Sequence, residues 1–165
     1  MGKSVAGENK SEYGYVEKVT LLEKNISLSA KLDTGAKSAS LSAIQIQEIE
    51  ENGKTYLAFI VPTKSGNFQF KAEYAGRVRI KSRVGEANKG LHASSIKRPM
   101  VKVKIKLGNK ERDILFNLTN RKRFNYPVLL GRDALNAFSG VVDPSSVFLQ
   151  KKGINLEVVE TDDKT

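Results

Sequence analysis

The chain has 165 residues, of which 39% are hydrophobic and 28% charged, so it is long enough to bury one core and too apolar for global disorder. It contains no cysteine and one histidine, His92, which excludes disulfides, thiol nucleophiles and a zinc site built from the usual Cys and His ligands. The net charge is +10, and residues 51–150 carry 19 basic against 7 acidic side chains, a local excess of +12 that favours an acidic partner.

Polar segments at the two ends of the sequence mark the limits of the predicted domain. We interpret residues 13–156 as one domain and expect residues 1–12 and 157–165 to be flexible. No run of about 18 apolar residues occurs, and the first residues lack the apolar stretch of a signal peptide, so we predict no membrane span. The interpretation is a cytoplasmic protein, with export left open in case a leader has been removed.

Alternating apolar residues in the first half predict strands. "ISLSAKL" (26–32) is a strand that runs directly into Asp33. "AIQIQEI" (43–49) and "TYLAFIV" (55–61) form a further pair, and Asn52-Gly53 between them is a strong turn signal. We therefore predict a hairpin centred on that dipeptide.

The same alternation continues in the second half. "RVRIKSR" (77–83) and "MVKVKIKL" (100–107) place Val and Ile on one face and Lys and Arg on the other. "GNKERD" (108–113) is predicted to be a turn, which makes residues 100–119 a hairpin. Residues 83–97 lack periodicity and are interpreted as an exposed loop.

Helix is scarce in the sequence. The clearest candidate is "RDALNAF" (132–138), which begins after Gly131 and is about two turns long. The predicted class is therefore all-β, with one short helix near residues 132–138.

The basic faces of the predicted strands allow two interpretations. They could follow a nucleic-acid backbone, or they could simply solvate the outer side of a sheet. The second interpretation is favoured, because β-sheet binders of nucleic acid usually place aromatic side chains among the basic ones, and these strands carry Val and Ile instead.

Asp33 is the main candidate for chemistry. It begins an Asp-Thr-Gly triplet at the end of a strand, where the small Gly35 leaves room for a reacting water. Such a triplet also arises as a simple Asx turn, so the triplet alone does not decide between a turn and a catalytic group. A hydrolytic carboxylate dyad would need a second carboxylate that shares one proton with the first.

The ordered motifs "KLDTGAKSASLSA", "LTNR", "YPVLLGRDAL" and "VVDPS" resemble a bacterial retropepsin-like family whose members carry the label ATP-dependent zinc protease. The resemblance covers roughly residues 13–150 and implies a closed barrel of the acid-protease type. It also implies a homodimer, because the chain has one Asp-Thr-Gly and is too short for a second lobe. Relatives commonly have His where this chain has Ser42, so we expect no metal and no cofactor.

The resemblance assigns roles by position. It makes Asp33 the catalytic aspartate. It makes eight residues the support of the active-site loop: Thr34, Gly35, Ala36, Ser38, Leu129, Leu130, Gly131 and Arg132. In retropepsins the hydroxyl at the Thr34 position braces the two loops across the dimer. Arg121 and Asp143 also fall on family-typical positions, without an assigned role, and residues 55–75, with "TKSGN" at the tip, are a candidate flap.

The predicted function is a retropepsin-like aspartic peptidase in which the paired Asp33 carboxylates of a homodimer activate water. The expected substrate is a peptide or protein, and the basic middle of the chain suggests an acidic one. The alternative is a catalytically inactive module that binds peptides through the same fold. Nucleic-acid binding is the third and least favoured hypothesis.

Overall fold

The computed structural model describes residues 9–81, 95–122, 124–150 and 159–160, and within them it forms eleven strands and one short helix. The elements are β1 (Ser11–Leu21), β2 (Ile26–Leu32), β3 (Ala39–Ser42), β4 (Ile44–Glu51), β5 (Lys54–Thr63), β6 (Gly66–Lys81), β7 (Ser95–Leu107), β8 (Lys110–Thr119), β9 (Val128–Leu130), α1 (Arg132–Ala137), β10 (Gly140–Val147) and β11 (Val159–Glu160).

Six of the strands close into a barrel. The order β1-β2-β9-β3-β8-β7 returns to its start because β7 also pairs with β1, through Leu107 opposite Val19 and Ile105 opposite Leu21. The barrel is mixed, since β9 runs parallel to β2, β3 runs parallel to β8, and the other four pairings are antiparallel. The prediction of an all-β closed barrel with one short helix is confirmed.

The other strands extend this barrel on two sides. Strands β6, β5 and β4 continue the sheet outward from β7, and β10 pairs in parallel with β1. Strand β10 contains Pro144, which an edge strand tolerates because a missing N–H breaks no ladder there. Strand β11 pairs with β2.

Alternation explains which side chains fill the barrel. Val101, Val103, Ile105 and Leu107 of β7 are buried, whereas Lys102 and Lys104 between them are exposed. The core continues with side chains from several other elements: Leu28, Leu41, Phe59, Phe116, Leu118, Val128, Leu130, Leu135 and Phe138. Hydrophobic burial of these faces holds the barrel together.

The hairpin predictions are confirmed, with shorter turns. Asn52 and Gly53 have φ values of 51° and 77°, which is the left-handed pair that a two-residue hairpin turn requires. The turn between β7 and β8 is Gly108-Asn109 alone, because β8 already begins at Lys110 and not after Asp113. The residues proposed as a flap do form a hairpin, β5–β6, with Lys64 and Ser65 at its turn.

Some predicted boundaries differ from the structure. Helix α1 ends at Ala137, one residue before the predicted end. Ser95–Leu107 is one strand, so residues 95–97 of the predicted loop at 83–97 are β structure, while residues 83–94 lie outside the described residues. At the two ends, β1 already begins at Ser11 and β11 occupies Val159–Glu160, whereas residues 1–8, 151–158 and 161–165 lie outside the described residues.

In the described part of the chain, no helix has the length and apolar character needed to cross a membrane.

Candidate active site

Asp33 lies in the loop that joins β2 to β3, residues 33–38, which we call the aspartate loop. The N–H of Asp33 donates to the carbonyl of Leu130 at the end of β9, at 2.8 Å. Its Oδ1 accepts a hydrogen bond from the N–H of Gly35 at 2.9 Å, and the side chain is half-buried. The carboxylate is therefore fixed at a strand end while part of it stays accessible to solvent.

The start of helix α1 fastens the aspartate loop. The N–H of Arg132 donates to the carbonyl of Ala36 at 2.8 Å, and the N–H of Asp133 donates to that of Lys37 at 3.0 Å. The guanidinium of Arg132 donates to the carbonyl of Thr34 at 3.0 Å. Backbone N–H groups in the first turn of a helix have no partner within the helix, so the loop supplies their acceptors.

Gly131 lets the loop and the helix approach each other. A Cβ atom at this position would lie 2.5 Å from the carbonyl oxygen of Ser38, 2.7 Å from that of Ala36 and 2.8 Å from the carbonyl carbon of Lys37. All three are backbone atoms, so they cannot move aside like the end of a flexible side chain. A residue without a side chain is needed here for steric reasons.

The other predicted loop residues differ in exposure. Leu130 is buried, Leu129 and Ser38 are half-buried, and Thr34 and Gly35 are exposed. The contact of Thr34 with a second copy of the chain stays a prediction. The loop also carries an ion pair that the sequence did not single out, between Lys37 and Asp133, with Nζ and Oδ2 3.0 Å apart.

Arg121 lies away from the aspartate loop, and its contacts give it a structural role. Its Nε donates to the carbonyl of Tyr126 at 2.8 Å and its Nη1 to the hydroxyl of Ser40 at 3.2 Å, while its backbone N–H donates to the hydroxyl of Ser42 at 3.3 Å. Burial of the guanidinium, with a smaller effect from nearby Arg98, lowers the pKa of Arg121 to about 10. Arg121 thus joins β3 to the segment that leads into β9.

Asp143 binds its own neighbours in the irregular part of β10, where the pairing with β1 shifts register. Its carboxylate accepts hydrogen bonds from the N–H and the hydroxyl of Ser145, at 2.9 and 2.7 Å, and from the hydroxyl of Ser146 at 2.9 Å. These bonds favour the ionised form and lower the pKa of Asp143 below its ordinary value. The side chain is therefore engaged locally, and it is separate from the aspartate loop.

A cavity of about 830 Å³ lies at the other end of β9. Its walls come from β2, β3, β4, the β5–β6 turn and the segment between β8 and β9. The lining residues are Leu28, Ser42, Ile44, Pro62, Thr63, Lys64, Asn120, Arg121, Lys122, Phe124, Asn125, Tyr126 and Pro127. Asp33 is not among them. The sequence did not predict this cavity, because its walls come from segments far apart in the chain. Of its lining residues, Arg121 and Ser42 had been named individually, and Pro62, Thr63 and Lys64 lie in the predicted flap.

Within the described ranges, no group of three or more His, Cys, Asp or Glu side chains could hold a metal ion. Ser42, at the position where relatives of the resembled family commonly have His, is buried and accepts the N–H of Arg121.

Comparisons with known proteins give several relatives. A family model described as retropepsin-like aspartic endopeptidase RimB matches residues 12–153. Proteins named probable alpha-L-glutamate ligase, from Shewanella pealeana and Shewanella halifaxensis, are 31% and 28% identical to 79% of this chain. The chain spans only 28% of the length of each of these two relatives. The crystal structure of a Legionella pneumophila protein of unknown function is 54% identical, with a TM-score of 0.74, and the match covers 86% of this chain and 99% of that one.

Proposed function

The chain belongs to the RimB-like family of retropepsin-like aspartic endopeptidases, and on this premise we propose that it hydrolyses peptide bonds with water activated by two Asp33 carboxylates, one from each protomer of a homodimer. The observation that carries the proposal is the geometry of the aspartate loop. Asp33 stands at a strand end, fixed by Leu130 and Gly35, and its side chain is only half-buried. A fixed carboxylate that substrate can reach is what this chemistry requires.

The mechanism needs two carboxylates that hold one proton between them. The ionised carboxylate takes a proton from water while the oxygen of that water attacks the peptide carbonyl carbon. The protonated carboxylate gives its proton to the carbonyl oxygen, which forms a neutral diol. Collapse of the diol breaks the C–N bond: one diol hydroxyl returns its proton to the carboxylate that had protonated the carbonyl oxygen. The leaving nitrogen receives the proton that the other carboxylate had taken from water, which restores the starting state of the pair.

The homodimer supplies the second carboxylate. A two-fold axis beside the aspartate loop would bring each Asp33 against its own copy, because a two-fold contact pairs a surface with itself. The exposure of Thr34 supports a part for this residue in that contact. Within each protomer, Arg132 donates to the carbonyl of Thr34, and the hydroxyl of Thr34 is the group proposed to bond to the partner.

The proposed substrate is an acidic peptide. The net charge of +10 favours it. The ligase name of the Shewanella relatives points to proteins concerned with glutamate, and glutamate residues would supply such acidity. The β5–β6 hairpin is the proposed flap over the bound chain.

Hydrolysis of fluorogenic peptides, acidic and neutral, by wild type and Asp33→Asn tests the catalytic proposal. We expect wild type to cleave and Asp33→Asn to lose at least about a hundredfold of the rate, since the dyad loses its base. Asp113→Asn is the matched control, because Asp113 is exposed on β8 and should leave the rate unchanged. Equal rates for wild type and Asp33→Asn would refute the proposal.

The dimer has its own test. Sedimentation equilibrium gives the molecular mass in solution, and activity per chain should fall on dilution below the dimer dissociation constant. A monomer that cleaves peptides at all dilutions would contradict the shared dyad. A protein that binds peptides without cleaving them would instead favour the inactive binding module.

A further inference from the structure

The wall of the cavity at the far end of β9 contains a buried cation, Arg121, that has no anionic partner among the described residues. Arg121 is only 7% exposed, and none of its contacts within the described residues is a carboxylate. A guanidinium has five N–H groups, and the two hydrogen bonds to Tyr126 and Ser40 use two of them. Within the described part of the chain these are its only two guanidinium hydrogen bonds, so the other N–H groups can donate to an anion in the cavity that Arg121 lines.

The rest of the cavity is basic and partly apolar. Lys64 and Lys122 line it, whereas none of its lining residues is Asp or Glu. Burying a guanidinium without a counter-ion is unfavourable, which agrees with the lowered pKa of Arg121. An anion bound there would offset this cost.

The shape of the cavity indicates what kind of anion fits. The guanidinium carbon of Arg121 lies 4.3 Å from the ring centre of Phe124, and the Phe124 side chain is 47% exposed. Ile44 and Pro62 add apolar surface. A carboxylate at the end of a short methylene chain can reach a buried guanidinium past such walls and pair with its planar fork. A phosphodiester group is held within a bulky backbone and has no such chain, so nucleic acid fits less well.

We propose that this cavity is a carboxylate-binding site for an acidic peptide, in which Arg121 and Lys122 contact a glutamate or aspartate side chain. Pro127 at the cavity directly precedes β9 and Leu130 beside Asp33 ends it, so the two are three residues apart, a separation of at most about 10 Å. A bound peptide could span that distance with about three extended residues. Binding itself does not depend on catalysis, but the role of the site in substrate selection rests on the proposed function.

Binding is tested with the full-length chain carrying Asp33→Asn, so that the probe stays intact. The probe is a fluorescein-labelled oligoglutamate peptide, followed by fluorescence anisotropy. Lys122→Glu should weaken binding by about fivefold or more, because it replaces an attraction with a repulsion at the cavity. Lys97→Glu, the same charge change at an exposed position outside the cavity, should change the affinity by less than about twofold.

The buried cation is tested separately. Arg121→Lys keeps the charge and loses the fork, so it should weaken peptide binding by about fivefold or more. Circular dichroism establishes that this variant is folded. If it is unfolded, Lys122→Glu, which lies on the surface, decides the result alone.

The possible outcomes separate the site from the catalytic proposal. Equal losses for Lys122→Glu and Lys97→Glu, or no loss in either, would overturn the site. Oligouridylate binding that Lys122→Glu weakens, without peptide binding, would make the cavity a nucleic-acid site and also overturn it. An active enzyme whose KM for acidic peptide is unchanged by Lys122→Glu would overturn the site and leave the proposed function standing. If Lys122→Glu weakens peptide binding and Lys97→Glu does not, while the wild-type chain cleaves no peptide, the site stands and the proposed function is overturned.

Discussion

The contact between Gly131 and the aspartate loop predicts a severe effect for Gly131→Ala. The new Cβ would lie 2.5, 2.7 and 2.8 Å from three backbone atoms, where ordinary contact begins at about 3.4 Å. Those atoms cannot retreat easily, because the carbonyls of Ala36 and Lys37 are bound to the first N–H groups of α1. Overpacking of this kind costs about 3 kcal/mol of unfolding free energy.

Thermal unfolding followed by circular dichroism measures this loss. For a chain of this size, about 3 kcal/mol corresponds to a melting temperature lower by about 6–12 °C. Gly35→Ala is the matched control from the same loop, since its Cβ would meet only Oδ1 of Asp33, at 3.2 Å, and should cost less than about 1 kcal/mol. A Gly131→Ala variant that melts within about 2 °C of wild type would refute the inference of a tightly fastened loop.

Three further predictions concern other carboxylates. Glu17 is 1% exposed and accepts hydrogen bonds from the N–H groups of Gly14, Leu149 and Gln150. Glu17→Gln should therefore lower the free energy of unfolding, measured in urea, by about 1–3 kcal/mol, and an unchanged midpoint of urea unfolding would contradict this. Because the pKa of Asp143 is lowered in the folded protein, its ionised carboxylate stabilises the fold above the pKa that Asp143 has in the unfolded chain, and this stabilisation is lost as pH falls through the folded pKa. NMR titration should find the pKa of Asp143 in the folded protein below the ordinary value for aspartate. Asp143→Asn should make the free energy of unfolding less sensitive to acid. Lys37→Ala should lower the free energy of unfolding by less than about 1 kcal/mol in the same urea assay, because the side chains of the Lys37–Asp133 pair are 74% and 56% exposed and solvent screens their attraction. A larger loss would contradict a weak, screened ion pair.

Local patterns were sufficient to predict much of the fold. The alternation of β7 and the turn at Asn52-Gly53 are short-range signals, and both are confirmed. Strands β3 and β9 carry no such signal, because "ASLS" is buried throughout and "VLL" has only three residues. Their pairing partners are distant in sequence, so the way they complete the barrel could not be inferred from periodicity.

The candidate site, like the fold, could be predicted only in part from the sequence. Asp33 and Gly131 were identified from motifs, and the structure brings them together through Leu130 and α1. The cavity around Arg121 depends on how β3, the β5–β6 turn and residues 120–127 pack against one another. No motif within one segment reports such packing, so Lys122 and Phe124 were not recognised from the sequence.

The position of β9 between β2 and β3 has a consequence for the order of assembly during translation. The strands on either side of the aspartate loop are made before the strand that joins them, which comes from residues 128–130. A nascent chain therefore carries Asp33 on an unanchored segment until this late strand and α1 have left the ribosome. Pairings between segments so distant form slowly, so any hydrolytic competence arises only after β9 and α1 have been made and have paired.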